Sequence, residues 1–135
     1  MSAKPFLDTN ILIYAFAAGD PRKAACERLL AQGGVVSVQV LNEFAGVSHR
    51  KLALSWDEIG KRIEAVKALV DSPVPLSVGI HDAARDIART RKIALYDALI
   101  VAAALSAKCA VLMTEDLQTG AKFGPLEVRN PLNAP

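Results

Sequence analysis

Aromatic residues are scarce: four Phe, two Tyr and one Trp in 135 residues. Single-strand nucleic-acid binders of the stacking type rest on aromatic platforms. A fold built around such a platform is therefore excluded, and any RNA contact must lean on phosphates. Trp56, beside Ser55, is read as a packing anchor rather than a base platform. Cysteine is nearly absent. Cys26 and Cys109 are far apart and in no paired motif, which argues against a disulfide framework or a zinc site. Two buried thiols are expected. The two histidines, His49 and His81, are also distant from each other, so neither is read as a metal ligand or an acid–base catalyst. Long apolar runs are missing as well. The longest uncharged stretch, Leu29 to Asn42, is broken by Gly33-Gly34, whereas a spanning helix needs about 20 apolar residues. Asp8 arrives before any long apolar run, so no cleaved secretory signal is expected and the reading is cytoplasmic. No excess of one charge exists either: Lys plus Arg number 16 and Asp plus Glu 14, a net +2. That neither demands nor forbids nucleic acid; placement matters more than the sum.

What is present is a core. Apolar residues make up 52% and charged ones 22%, which excludes a disordered chain. Residues 1–135 suit one domain, and a chain of this size buries roughly two-thirds of its unfolded surface. Phe6-Leu7 reads as a first strand. Thr9-Asn10 would cap a helix from Ile11 to about Ala18. Asp20-Pro21 opens the next helix, which stops at Gly33-Gly34. Val35-Val36 is a second short strand, followed by a helix from Val38 to Leu52. Ser55 and Glu58 form a capping box for a helix carrying Ile59, Ile63, Val66 and Val70 on one stripe. Leu76 to Val78 is read as a brief strand and His81 to Lys92 as a helix. Asp97 to Ala107 is a helix apolar all round, hence central. Ala110 to Met113 is a buried strand, and Glu127 to Arg129 a last edge strand. Strand and helix alternate, which predicts a three-layer α/β/α fold with a mainly parallel central sheet.

The acids are placed unusually. Ligands of open α/β sheets bind outside the carboxyl ends of the strands. Asp8 follows Phe6-Leu7, and Glu115-Asp116 follow Val111 to Thr114, so both sets point to one sheet edge. Glu43 lies about 40° around its helix from Val47, on the margin of the apolar stripe. Asp97 heads the all-apolar helix. Each residue alone also fits a plain role: a turn acid, a solvated helix edge, a first-turn acid favoured by the helix dipole, or a loop residue. Together they fit one cleft. Two unit charges 4 Å apart repel by about 4 kcal/mol near a protein surface and about 1 in water. Such a cluster must take up protons or hold cations. Oxygen-only ligands select a hard cation, magnesium or manganese. Thr9, Asn10 and Thr114 could add neutral oxygens or orient the carboxylates.

Phe6-Leu7-Asp8-Thr9-Asn10-Ile11-Leu12-Ile13-Tyr14 resembles the opening motif of PIN-domain ribonucleases. Leu41-Asn42-Glu43-Phe44 is similar to their second acidic motif. Tyr96-Asp97-Ala98-Leu99-Ile100-Val101-Ala102-Ala103-Ala104 is similar to the third, and Leu112-Met113-Thr114-Glu115-Asp116-Leu117 to the fourth. The compact size resembles VapC-like toxins of toxin–antitoxin pairs. The resemblance implies a metal-dependent endoribonuclease in which Asp8, Glu43, Asp97 and Asp116 hold Mg2+ or Mn2+. It assigns Thr9, Asn10 and Thr114 as hydrogen-bonding support, with Glu115 a fifth acid or a neighbour. It also implies an RNA substrate, a cognate antitoxin and a homodimer; the sequence itself shows only an apolar surplus, a positive mean hydropathy. The alternatives are a catalytically weak binding module on the same fold, or a different metal-dependent nuclease or phosphatase. Basic walls for RNA are sought among Arg22, Lys23 and Arg28; His49, Arg50 and Lys51; and Arg89, Arg91 and Lys92.

Overall fold

A computed structural model describes residues 4–132 of the chain. The elements follow as β1 (Phe6–Leu7), α1 (Thr9–Ala15), α2 (Lys23–Ala31), α3 (Val38–Arg50), α4 (Trp56–Leu69), α5 (Val78–Arg91), α6 (Leu95–Ser106), β2 (Val111–Met113), β3 (Lys122–Phe123) and β4 (Leu126–Arg129). The sheet order is β1-β2-β4-β3. β1 pairs parallel with β2, and β2 parallel with β4; β3 closes the edge antiparallel to β4. This is the three-layer α/β/α arrangement with a mostly parallel sheet.

Register and burial explain why such short strands hold. Phe6 lies opposite Leu112, and Leu112 opposite Val128. All three are fully buried, so the middle row of the sheet is a line of apolar side chains. Parallel strands buried on both faces carry continuous apolar sequence, which Phe6-Leu7 and Val111-Leu112-Met113 do. The row extends beyond β1: Val35 bridges Phe6, and Ser37 bridges Val74. The expected strand at Val35-Val36 is thus a bridge segment. Its far neighbour is Val74 rather than Leu76 to Val78. Leu76 and Val78 are exposed, and Val78 already begins α5.

β4 departs from expectation too. Glu127 to Arg129 are not the edge, because Lys122-Phe123 turn back through Gly124-Pro125 and cover them. α6 is as apolar as its sequence demands, and Ala98 through Ala104 are all buried. Its alanines let α5 pack closely; Ala84 of α5 is fully buried and Ile87 and Ala88 partly so. Both cysteines are free and buried. Ser37, Ser55 and Ser77 cap α3, α4 and α5, each hydroxyl accepting a backbone N–H three residues on. The Ser55 box forms only by half, since the Glu58 carboxylate turns to Arg62 instead. Asp20 caps less directly than expected. Its carboxylate accepts the Arg22 N–H at 2.8 Å, and the helix begins at Lys23. Among the described residues, no helix is long and apolar enough to cross a membrane.

Gly33 takes a positive φ of 86° where α2 ends, which suits glycine. Gly34 is required for space. A Cβ there would stand 2.8 Å from Leu7 Cδ1 and 3.1 Å from the Pro5 carbonyl oxygen. Leu7 is fully buried and cannot retreat cheaply. Overpacking of this kind costs about 1–3 kcal/mol. Gly34→Ala is therefore expected to lower the melting temperature by about 3–10 °C; an unchanged thermal midpoint would show that Leu7 finds another rotamer.

Candidate active site

β1 and β2 run side by side, so their carboxyl ends deliver Asp8 and Thr114 to one point. The strand pairing carries through: the Asp8 N–H donates to the Met113 carbonyl at 3.1 Å. Asp8 is buried, with 6% of its surface exposed. Its Oδ1 accepts the Thr9 N–H at 2.7 Å and its Oδ2 accepts the Thr114 hydroxyl at 2.6 Å. Asp8, and not Thr9-Asn10, is thus the cap of α1; the helix starts at Thr9, two residues earlier than expected. Thr114 Oγ1 in turn accepts the Asp116 N–H at 3.0 Å. One hydroxyl therefore fixes both the Asp8 carboxylate and the loop bearing Asp116.

Glu43 comes from α3, half-buried, with Oε1 accepting the Gln39 amide at 3.3 Å. Asp97 sits in the first turn of α6, half-buried. Asp116 lies at the exposed lip. The four acids feel one another's charge. Burial, opposed by its two hydrogen bonds, pushes the Asp8 carboxyl up to about 6, with Asp116 and Asp97 adding to the rise. Burial also raises Glu43, with Asp8 and Asp97 contributing. It raises Asp97, with a contribution from Asp116, and Asp116, with one from Glu115. Most acids outside this group behave otherwise. All eight ion pairs of the described residues use an acid elsewhere on the surface. Among the described residues, no Lys, Arg or His forms an ion pair with Asp8, Glu43, Asp97 or Asp116.

Glu115 has a different setting from its neighbour. Its Oε1 accepts the Asn10 amide at 3.0 Å and the Tyr14 hydroxyl. Asn10 and Tyr14 are one turn apart on α1, so Glu115 is tied back to that helix. The Arg22 guanidinium covers the Tyr14 ring at 3.7 Å while its fork grips Asp20. Burial and Glu115 together push the Tyr14 phenol up to about 12, so it stays a donor. Sequence reading gave Tyr14 and Gln39 no role. The signal was the helical spacing of Asn10 with Tyr14 and of Gln39 with Glu43.

The donor set suits a hard divalent cation: carboxylate oxygens, no thiolate, no imidazole. Thr9 Oγ1 adds a neutral oxygen that is buried without a hydrogen-bond partner, though near enough to Glu43 to favour its charged form. Among the described residues, no three of these groups are gathered closely enough to ligate one ion as they stand. Of the basic clusters, Lys23 and Arg89 are spent on neighbouring acids. Arg91 donates to the Lys122 carbonyl and lies over Phe123. Arg50 lines the groove that contains Glu43. His49 stacks on Trp56 at 4.2 Å. That tryptophan is 60% exposed, so it pins the α3–α4 turn rather than anchoring the core.

No curated protein matches the sequence significantly. Solved structures do match in three dimensions. A toxin–antitoxin complex from Klebsiella pneumoniae superposes with a TM-score of 0.71 at 19% identity, over 97% of this chain and 100% of that one. VapC20 of Mycobacterium tuberculosis, described as a sarcin–ricin-loop-cleaving toxin, gives 0.68 at 18% identity, over 84% and 92%. VapBC2 of Rickettsia felis, bound to a DNA fragment from its promoter, gives 0.66 at 21% identity, over 93% and 96%. The PIN domain family model matches residues 6–119, a span that begins at β1 and takes in all four acids. The chain belongs to the PIN domain family.

Proposed function

We propose that residues 1–135 act as one PIN domain, a divalent-metal-dependent endoribonuclease that serves in the cytoplasm as the toxin of a toxin–antitoxin pair. The observation that carries this reading is the mutual field of four carboxylates, Asp8 and Asp116 beyond β1 and β2, Glu43 on α3 and Asp97 on α6, that have no ion-pair partner among the described residues. Acids spared any cation from the protein are acids arranged for one from outside. Asp8, Glu43, Asp97 and Asp116 would hold Mg2+ or Mn2+. When bound, such a cation neutralises charge on a phosphate, lowers the pKa of water and stabilises a leaving oxygen. The chain's own part is orientation. Thr114 and the Thr9 N–H aim Asp8, Gln39 steadies Glu43, and Asn10 with Tyr14 hold Glu115 aside. The reaction is hydrolysis: water oxygen bonds to phosphorus, the opposite ester P–O bond breaks, and the leaving oxygen gains a proton. The names of the similar toxins support RNA as substrate and a protein antitoxin as partner.

A homodimer is proposed as well. Val78 is 77% exposed and Leu76 48%, beside an apolar groove formed by Ile80, Ala83, Ile87, Ala102 and Leu105. Such a face is expected to be covered. Light scattering should report a dimer for the wild type and a monomer for Val78→Glu; a monomer throughout would end the dimer proposal.

The central test is cleavage of a mixed RNA pool with magnesium or manganese. Wild type should cut, and both chelator and Asp8→Asn should abolish cutting. Asparagine is a good helix cap, so the fold should survive. Metal-dependent cleavage that persists in Asp8→Asn would sink the site assignment; metal binding without cleavage would favour the binding-module reading.

Stability offers an independent check. The folded Asp8 carboxyl holds its proton up to about pH 6, against 3.8 for an ordinary aspartate. The folded state thus binds more protons in that window, and stability falls as pH rises through it. Two pKa units correspond to about 3 kcal/mol. In chelator, Asp8→Asn should therefore be more stable than wild type at pH 7 by about 1–3 kcal/mol, and the gap should close towards pH 4. Added magnesium should raise the wild-type melting temperature and leave that of Asp8→Asn unmoved. Equal shifts in both proteins would place the cation elsewhere.

A further inference from the structure

We propose that the groove between α3 and the head of α6 is a nucleotide subsite. In it, one unpaired base next to the cut stacks on Tyr96 and the adjoining phosphate meets Arg50. The inference rests on the ribonuclease reading and adds to it the residues that select the RNA.

The groove is a cavity of about 400 Å³ lined in part by Gln39, Asn42, Glu43, Gly46, Arg50 and Tyr96. That volume is at the small end of ligand pockets and gives room for one nucleotide, not a duplex. Glu43 belongs to both the groove and the acidic cleft, and Tyr96 directly precedes Asp97. The groove therefore opens onto the reacting phosphate. The α3 residues fall at helical spacing, so they make one continuous stripe.

Tyr96 is the informative residue. This chain has few rings, and nearly all are accounted for. Phe6, Phe44 and Phe123 are buried. Phe16 packs on Phe44, Trp56 on His49, and Tyr14 lies beneath Arg22. Tyr96 is 63% exposed and, among the described residues, has no ring or cation on its face. A base has a π-face to offer it, and differences in stacking strength give a modest preference among bases. The exposed Asn42 amide carries both a donor and an acceptor for a base edge.

Arg50 sets the register. Its Nε donates to the Gly46 carbonyl at 3.2 Å, which holds the guanidinium over the groove. Seven residues at 1.5 Å rise separate it from Glu43, about 10 Å along the helix axis. It therefore meets a neighbouring phosphate rather than the one being cut. Val47 adds an apolar patch to the lining, and the two amides, the guanidinium and the open ring beside it are the groups that hydrogen-bond, pair with and stack on a nucleotide.

Gly46 allows the groove to be filled without replacing any of the four acids. An added Cβ meets only Arg50 Nη2, at 3.7 Å, so Gly46→Leu should fold, and Tyr96→Leu provides a second route to the same answer. The experiment follows steady-state cleavage of a short single-stranded oligoribonucleotide bearing the cut site found with the RNA pool. Both variants should lose about 5–100-fold in kcat/KM, mainly through KM, and lose preference for the base at one flanking position. Tyr96→Phe should restore both. Arg50→Ala should flatten the salt dependence of binding by about 0.7 in the log–log slope, one phosphate contact on a single strand. Wild type that cleaves while all variants keep its KM and base preference would overturn the subsite alone. Wild type that does not cleave RNA would remove the ribonuclease reading and the subsite with it. Unchanged cleavage by Gly46→Leu with loss of inhibition by a cognate antitoxin would assign the groove to a peptide and overturn the proposal.

Discussion

A carboxylate buried at the joint of two parallel strands governs this molecule. Asp8 is at once the end of β1, the cap of α1 and the acceptor of the Thr114 hydroxyl from beyond β2. Its burial opposes its charge, and the hydrogen bonds offset only part of that opposition. The fold tolerates the strain because the row behind it is dry. Phe6, Leu112 and Val128 are fully buried in register, and each such side chain contributes about 1.5–3 kcal/mol. A strand pair of two residues would not otherwise survive next to an acid.

Much of the architecture was legible because its signals are local. The all-apolar run from Ala98 to Ala104 has only one place to go. Ser55 sits where its hydroxyl reaches an N–H three residues on; Ser37 and Ser77 do the same in the structure but were not singled out as caps, Ser77 falling inside the expected strand. What was not legible depended on tertiary pairing. Lys122-Phe123 carry too few residues for a period, and only the turn at Gly124-Pro125 folds them onto β4. Val74 rather than Leu76 to Val78 meets Ser37, because the chain needs the exposed stretch after Pro75 to enter α5. Asp8 rather than Thr9-Asn10 is the cap, its backbone held extended at the end of β1 by the bond from its N–H to the Met113 carbonyl.

The acidic edge was legible for the same reason as the strands: a residue just past a buried strand in a parallel sheet has its direction set by topology. Glu43 and Asp97 could be placed by helical periodicity. Their supports could not be placed from spacing alone. Gln39 on Glu43, and Asn10 with Tyr14 on Glu115, are contacts whose partners look ordinary in sequence. Glu115 and Asp116 show the limit most clearly. Adjacent in the chain, they diverge because Thr114 holds one backbone N–H while α1 holds the other side chain.

Local rules are broken where sequence and fold must serve something other than stability. The contrast between acids makes this quantitative. Asp82, Asp86 and Glu64 each face a cation one helical turn away, and exposed pairs of that kind are worth about 0.2–1 kcal/mol. Such a small gain was available to Glu43 and Asp97, which also sit on helices, and the chain does not take it. Instead α3 divides its surface. Val40, Phe44 and Ser48 are buried in the core, while Gln39, Glu43 and Arg50 line one open groove. The helix is held rigid by the first face and can therefore present the second at fixed spacing. A carboxylate and a guanidinium on that second face, kept from neutralising each other by seven residues of helix, form a gradient of charge along the groove. A polyanion laid in such a gradient has one favoured direction, and the same separation that costs the free protein an ion pair gives the site its polarity.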